Sequence, residues 1–154
     1  MILEIGSKRA ARKLFAILVL DEHGDNLKLK FTDPKKGIFI KADKGRINQV
    51  ISNLLSNALK FTKEGTVTAA AVPTNNEIVV TITDTGPGID SEILPKLFTK
   101  FATKSATGTG LGLFISKSII EAHGGKIWGK NNNPEGKGAT FGFSLPLYNQ
   151  SDVS

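Results

Sequence analysis

The sequence contains no cysteine and only two histidines, His23 and His123. Disulfide bonds and thiolate metal sites are therefore excluded, and a histidine-rich metal site would need more imidazoles than the chain has. Long apolar runs are also missing: the longest run near the N-terminus, residues 14–20, is far shorter than a membrane-spanning helix. Basic residues precede this run, but no small-residue cleavage site follows it. We therefore expect a helix in a cytoplasmic chain, whose parent protein could be anchored in a membrane.

Tyrosine and tryptophan are scarce, with one of each, and no platform for stacking on bases is visible. The net charge of +6 would suit a polyanion, but the lysines are scattered along the chain. This pattern argues against a nucleic-acid-binding protein. Some of the positive charge could serve a small polyanionic ligand, and the rest is expected on the solvated surface.

The chain does have the composition of an ordinary globular domain. Of its 154 residues, 40% are hydrophobic and 22% are charged, which is enough for one domain with a real core. Helical and strand patterns follow one another without a regular β-α-β repeat, so we predict an α+β fold. Its helices would pack on one face of a mixed, mostly antiparallel sheet. We expect a helix and connector over residues 1–26, the main domain over residues 27–148 and a frayed tail over residues 149–154.

The predicted elements follow the apolar periodicity and the turn residues between periodic segments. Strands are expected over residues 27–32, 38–40, 66–72, 77–83, 126–130 and 139–145. Helices are expected over residues 8–21, 43–61, 90–98 and 111–122. The polar, glycine-bearing segment over residues 99–110 is expected to be a mobile loop.

The helix predicted over residues 43–61 carries a row of polar side chains beside its apolar stripe. Asn53, Asn57 and Lys60 are spaced so that they lie along one margin of the helix, at about 100° per residue. Amide oxygens suit Mg²⁺ as ligands, and a lysine one turn further along can contact phosphate. A solvated helix margin is the simpler alternative for this row considered alone. The predicted core stripe consists of Ile47, Val50, Ile51, Leu54, Ala58 and Phe61.

A second feature is the turn at residues 84–89, which follows an alternating strand. Asp84 continues the inward row of that strand, so its carboxylate is expected to be buried and to need a hydrogen-bond donor. The amino group of adenine is such a donor, and Gly86 and Gly88 would let the backbone pass close to a flat ring. A capped turn is the alternative, because Asp-x-Gly turns are common.

A third feature is the glycine cluster at residues 108–113, which runs directly into a helix. Free N–H groups at a helix N-terminus bind phosphate, and glycine lets the backbone approach the anion. The glycine spacing differs from that of the dinucleotide-binding fingerprint. Residues 124–130 match the glycine and lysine spacing of a P-loop, but Asn131 stands in place of the Ser or Thr and the segment is a predicted strand. We therefore reject a P-loop.

A fourth segment, residues 136–143, leads from a glycine-rich turn into a strand with Phe141 and Phe143 on one face. Considered alone, this segment is simply a core strand. Together with the other three segments, it could bring the hydroxyl of Thr140 to a pocket for the base.

In their order along the chain, these four segments resemble the N, G1, G2 and G3 boxes of the catalytic domain of sensor histidine kinases, within the GHKL superfamily. Residues 97–101 resemble the F box between G1 and G2, and the resemblance covers about residues 27–147. Each box is weak alone, but five in the right order are specific. The resemblance implies the Bergerat ATP-binding fold, a two-layer α/β sandwich. Mg-ATP would bind between the long helix and an ATP lid, which we place over residues 99–110.

The resemblance also implies roles by position. Asn57 would be the Mg²⁺ ligand, Asn53 its polar neighbour and Lys60 a phosphate contact, and these three residues form the expected catalytic set. Phe61 would lie beside adenine, and Asp84 would read the amino group of the base. The other expected nucleotide contacts are Gly86, Gly88, Ile89, Phe98, Gly108, Thr109, Gly110, Leu111, Gly112, Leu113 and Thr140.

A phosphoacceptor histidine of the family pattern is missing. Neither His23 nor His123 lies in a helix with that pattern, and His123, at a predicted helix end, is expected to hydrogen-bond terminal carbonyl groups. The implied partners are a separate phosphoacceptor and dimerisation domain and, downstream, a response regulator. ATP-hydrolysing relatives carry a glutamate where Asn53 stands, and an amide cannot serve as a general base. An ATPase and a non-catalytic nucleotide-binding module remain as alternatives.

Overall fold

The computed structural model describes residues 2–5, 27–32, 38–102, 110–133 and 137–148. The helix predicted over residues 8–21 and the tail over residues 149–154 lie outside the described residues, and so do Gly108 and Thr109 of the predicted lid. Within the described ranges, no helix is both long enough and apolar enough to cross a bilayer.

The strands described are β1 (Ile2–Ile5), β2 (Leu27–Thr32), β3 (Ile38–Lys41), β4 (Gly65–Pro73), β5 (Glu77–Asp84), β6 (Lys126–Asn131) and β7 (Ala139–Pro146). Five of them form one sheet in the order β2-β4-β5-β7-β6, and β1 pairs with β3. β2 runs parallel to β4, and the other neighbouring pairs are antiparallel. The predicted α+β fold with a mixed, mostly antiparallel sheet is confirmed.

Two α-helices, α1 (Lys44–Phe61) and α2 (Gly112–Ala122), pack against each other and against the sheet. The inward row of β5, formed by Ile78, Val80 and Ile82, is buried, while the alternate residues of this strand are more exposed. The core therefore lies between one face of the sheet and the two helices.

The buried face of α1 is wider than the predicted stripe. Four of the six predicted core residues are buried, but so are Leu55 and Leu59, because the helix packs against both the sheet and α2. Ile51 is only half-buried, and Phe61, the last residue of the helix, is 49% exposed. The placement of Phe61 in the core is therefore wrong.

One further prediction about local structure is wrong, and one strand was missed. The segment over residues 90–98 forms turns around a single 3-10 turn, Leu94–Lys96, rather than a short α-helix. The backbone N–H and the hydroxyl of Thr99 both donate to the carbonyl of Lys96, three residues before it. This spacing is that of a 3-10 turn and not of an α-helix. β1 was not predicted at all, although β3, which is equally short, was.

Hydrogen bonds at the helix ends join α1 to α2. Oδ1 of Asp43 accepts from the backbone N–H of Arg46 at 3.1 Å and caps the first turn of α1. The backbone N–H of Asp43 donates to Nε2 of His123 at 3.1 Å, and Nδ1 of His123 donates to the carbonyl of Ile119 at 2.7 Å. The prediction that His123 hydrogen-bonds a terminal carbonyl is confirmed. This imidazole also anchors the start of α1 to the end of α2.

Removing the cap of α1 should destabilise the domain. We expect Asp43→Ala to lower the free energy of unfolding by about 1 kcal/mol, because the N–H of Arg46 loses its acceptor. Asp43→Ser, which keeps a capping oxygen, should stay close to wild type. Urea unfolding followed by circular dichroism measures both, and equal losses in the two variants would contradict a role for the side-chain cap.

Candidate functional site

A buried carboxylate marks one end of the sheet. Asp84, the last residue of β5, is 5% exposed, and its Oδ1 accepts the backbone N–H groups of Gly86 at 3.0 Å and Ala139 at 3.2 Å. Burial raises the pKa of Asp84, and these two backbone hydrogen bonds partly offset that rise. Among the described residues, no donor contacts Oδ2. The carboxylate therefore keeps one oxygen with which to accept a hydrogen bond from a ligand.

Two asparagines, the last residue of β6 and the residue after it, hold the turn that follows Asp84. Nδ2 of Asn132 donates to the backbone carbonyl of Asp84 at 3.0 Å. The side chain of Asn131 pairs with the backbone of Ile89 in both directions, because its Oδ1 accepts at 2.6 Å and its Nδ2 donates at 3.1 Å. The sequence predicted strands on either side of these residues and no functional role for them. Their signal was the Asn run at residues 131–133, since asparagine side chains often hydrogen-bond to backbone groups.

The backbone of Gly86 is wedged between the end of α1 and Asp84. A Cβ at Gly86 would lie 2.9 Å from Oγ1 of Thr62, 3.1 Å from the carbonyl of Phe61 and 3.2 Å from Oδ1 of Asp84. Gly88, two residues on, has a φ of 86°, which also favours glycine. The two glycines therefore let the end of α1 and the turn after β5 come together, and the backbone carbonyl of Phe61 lies at this junction.

Thr140 is not brought to the carboxylate. It pairs with Thr83 in the β5–β7 register, and the two hydroxyls are 3.1 Å apart. Because side chains alternate along a strand, Thr83 and Asp84 point to opposite faces of the sheet, and it is Ala139 that lies beside Asp84. The hydroxyl of Thr140 donates instead to Oδ1 of Asn132 at 2.6 Å. Thr140 thus supports the Asn132 side chain that holds the backbone of Asp84.

The polar row of α1 meets the first turn of α2. Nδ2 of Asn53 lies 3.2 Å from Oγ of Ser116 and 3.4 Å from the carbonyl of Gly112. Asn57, one turn further along α1, is half-buried, and Lys60 is exposed. The row therefore continues past the start of α2 towards Phe61, and Nζ of Lys60 lies 5.5 Å from the centre of the Phe61 ring.

The start of α2 suits an anion. Leu111, at the N-cap position, makes no side-chain capping hydrogen bond to this helix. N–H groups at a helix N-terminus favour anions. Gly110, just before the helix, has a φ of 69°, and its carbonyl accepts from the N–H of Phe101 at 3.0 Å. A Cβ at Gly110 would lie 2.5 Å from Cα of Phe101. The two chain segments that flank the outer part of the predicted lid are thus in direct contact.

The other predicted contacts lie around these features. Three side chains pack, half-buried, against the core: Ile89 in the turn after β5, Phe98 after the 3-10 turn, and Leu113 at the start of α2. Leu111 occupies the N-cap position of α2. No group of three or more His, Cys, Asp or Glu side chains suited to a metal occurs among the described residues. A divalent cation here would therefore rely on amide oxygens, water and oxygens of the ligand.

Histidine kinases are among the known proteins that this chain resembles. Residues 42–149 match the family model described as "Histidine kinase-, DNA gyrase B-, and HSP90-like ATPase". The sensor histidine kinase WalK of Bacillus subtilis is 35% identical over 128 residues, which cover 77% of this chain and 21% of WalK. The chain thus spans about a fifth of the length of that relative.

Solved structures similar to this chain also include histidine kinases. The catalytic domain of the histidine kinase ThkA is 30% identical, with a TM-score of 0.80 and coverage of 95% of this chain and 97% of that domain. ThkA has also been solved in complex with the response regulator TrrA. Full-length ShkA in complex with AMPPNP is 27% identical, with a TM-score of 0.76 and coverage of 94% of this chain and 31% of ShkA.

The junction at Gly86 can be tested directly. We expect Gly86→Ala to lower the free energy of unfolding by about 1–3 kcal/mol, because the new methyl group forces backbone and carboxylate atoms apart. Gly45→Ala is the matched control, since a Cβ there would meet only Oδ1 of Asp43 at an ordinary 3.4 Å. Gly45→Ala should be neutral or slightly stabilising. Equal stability of the two variants in urea unfolding would show that Gly86 is not wedged.

Proposed function

Because the chain belongs to the family of histidine kinase-, DNA gyrase B- and HSP90-like ATPases, we propose that it is the ATP-binding catalytic domain of a two-component sensor histidine kinase. It would transfer the γ-phosphate of Mg-ATP to a histidine on a separate domain. The observation that carries this proposal is the contact of Asn53 with the first turn of α2. Asn53 is an amide, which cannot take a proton at neutral pH, and by the resemblance it stands where ATP-hydrolysing relatives carry a glutamate.

Asp84 is proposed to recognise adenine by accepting a hydrogen bond from its amino group. Its Oδ1 is held by two backbone N–H groups, so the orientation of the carboxylate is fixed before the ligand arrives. Oδ2 would accept from the amino group of the base, and GTP, which has a carbonyl at that position, offers no such donor. The residues proposed to contact the adenine ring are Phe61, Gly86, Gly88 and Ile89.

The triphosphate would lie along α1 towards the start of α2. Asn57 and Lys60 would contact the metal and the phosphates, and the N–H groups at the start of α2 would bind phosphate oxygens. The proposed segment is Gly110, Leu111, Gly112 and Leu113, with Gly108 and Thr109 as further proposed contacts. Amide oxygens fit Mg²⁺, which keeps most of its waters and takes few protein ligands. When bound, Mg²⁺ would neutralise charge on the phosphates.

The proposed role of this chain in the reaction is to position ATP for transfer and to neutralise charge on its phosphates. The bond between the β-bridging oxygen and the γ-phosphorus breaks, a bond from the acceptor imidazole nitrogen to that phosphorus forms, and ADP leaves with the bond electrons. A neutral imidazole is already a nucleophile, so no strong base is needed from this chain. The proposed partners are a dimeric phosphoacceptor domain and a response regulator, and the ThkA complex supports the second. The proposed setting is the cytoplasmic part of a longer sensor protein.

The role of Asp84 predicts a pH dependence. Adenosine should bind more weakly as pH falls through the raised pKa of Asp84, because a protonated carboxyl is a poorer acceptor. The unliganded domain should respond in the opposite direction. Since the folded-state pKa is raised above the unfolded value, stability should fall as pH rises through that interval.

Adenosine is the right probe because it carries no titrating phosphate. Asp84→Asn should weaken binding by about 1–3 kcal/mol and abolish the pH dependence. NMR titration with adenosine and with guanosine measures both effects. A pH profile that is the same in the variant and the wild type would remove Asp84 from the site.

The reaction itself can be tested with labelled ATP. Alone, the domain should neither become labelled nor hydrolyse ATP quickly. Mixed with a dimeric phosphoacceptor domain, it should transfer the γ-phosphate and form an acid-labile, alkali-stable product. The rate should rise with protein concentration, because no linker raises the effective concentration.

Two variants serve as controls in this assay. His23→Gln and His123→Gln should both retain transfer, because neither histidine is proposed to react. Rapid ATP turnover without an acceptor would favour an ATPase. Stable self-labelling that His23→Gln abolishes would make His23 the acceptor.

A further inference from the structure

The side-chain amide of Asn53 has a defined orientation. Its Nδ2 faces the carbonyl of Gly112 at 3.4 Å and Oγ of Ser116 at 3.2 Å. A carbonyl can only accept a hydrogen bond, so the NH₂ group and not the oxygen must face α2. The NH₂ group is therefore directed at α2, and Oδ1 is the polar atom of the amide that makes neither of these contacts.

Ser116 has the properties of a residue that holds this amide. It is completely buried, with 0% exposure, and lies on the face of α2 that packs against α1. Ser118, two residues further along the same helix, is exposed, and its hydroxyl donates back to the carbonyl of Phe114 at 3.2 Å. The two serines therefore lie on the same helix and carry the same hydroxyl group. Of the two, only Ser116 contacts the polar row of α1.

We propose that Ser116 is a positioning residue for Asn53. The Ser116 hydroxyl and the Gly112 carbonyl accept hydrogen bonds from the NH₂ group of Asn53. Oδ1 is then the atom of Asn53 that can contact phosphate-bound water or metal. The start of α2, where the phosphates are proposed to bind, thereby sets the orientation of a polar side chain on α1. This inference rests on the proposed function of the site.

The arrangement also limits what position 53 can hold. A carboxylate in place of the amide would put an oxygen against the Gly112 carbonyl, which has no proton to donate, and only the Ser116 hydroxyl could still donate to it. The contact between Asn53 and the Gly112 carbonyl thus depends on an amide. An acidic general base could not occupy the same position with the same contacts.

The test compares Ser116→Ala, Ser116→Cys and Ser118→Ala with the wild type. Cysteine fills the volume of serine but is a weak acceptor, so it separates hydrogen bonding from packing. The first measurement needs no ligand: the side-chain NH₂ signals of Asn53 in a ¹⁵N–¹H spectrum. The second is the dissociation constant of ADP, measured with Mg²⁺ and with EDTA.

We expect both Ser116 variants to shift the Asn53 NH₂ signals and to reduce the gain in ADP affinity from Mg²⁺ about tenfold. ADP binding in EDTA should change much less, and Ser118→Ala should match the wild type throughout. If the Ser116 variants lose thermal stability but keep the NH₂ signals and the Mg²⁺ gain, Ser116 is only a packing residue and the inference is wrong. If the wild type binds no ADP, the proposed function fails, whatever the NH₂ signals show.

Discussion

The burial of one carboxylate, that of Asp84, constrains much of the site. A buried charge is stable only if donors surround it, and here two backbone N–H groups bind a single oxygen. That geometry requires β7 to begin beside the end of β5, and it requires the backbone at Gly86 to fold back under the carboxylate. Asn131 and Asn132 then hold the same turn from the neighbouring strand connection. The result is a rigid acceptor at the end of the sheet with one oxygen left for a ligand.

The other half of the site depends on how two helices meet. α1 and α2 are tied at the start of α1 by His123 and, further along, by Asn53. These contacts fix where the first turn of α2 lies relative to the polar row of α1. The arrangement separates the region proposed for the base, next to Asp84, from the region proposed for the phosphates, next to Asn53. Catalysis by positioning, as proposed here, needs that separation to be held by the fold rather than by the ligand.

The sequence misplaced or missed several features. Thr140 was assigned to the base pocket from its place in the segment, but the strand register puts its hydroxyl on the face of the sheet opposite Asp84. β1 was missed, and it pairs with β3, a distant segment. These two outcomes depend on contacts between segments that are far apart in the sequence. Phe61 continues the apolar spacing of α1, yet the helix ends there and the ring is half-exposed.

The sequence by itself determined the α+β class, the extent of α1, most strand positions and the burial of Asp84. These follow from local periodicity and turn chemistry, which act over a few residues. It also identified the polar row of Asn53, Asn57 and Lys60, since helical spacing alone places them on one margin. Only the tertiary structure decided which atoms meet. The orientation of the Asn53 amide, the buried Ser116 behind it, the asparagine pair at residues 131–132 and the outward face of Thr140 all depend on strand register and helix packing. Register and packing are set by the core as a whole, and no short window of sequence contains them.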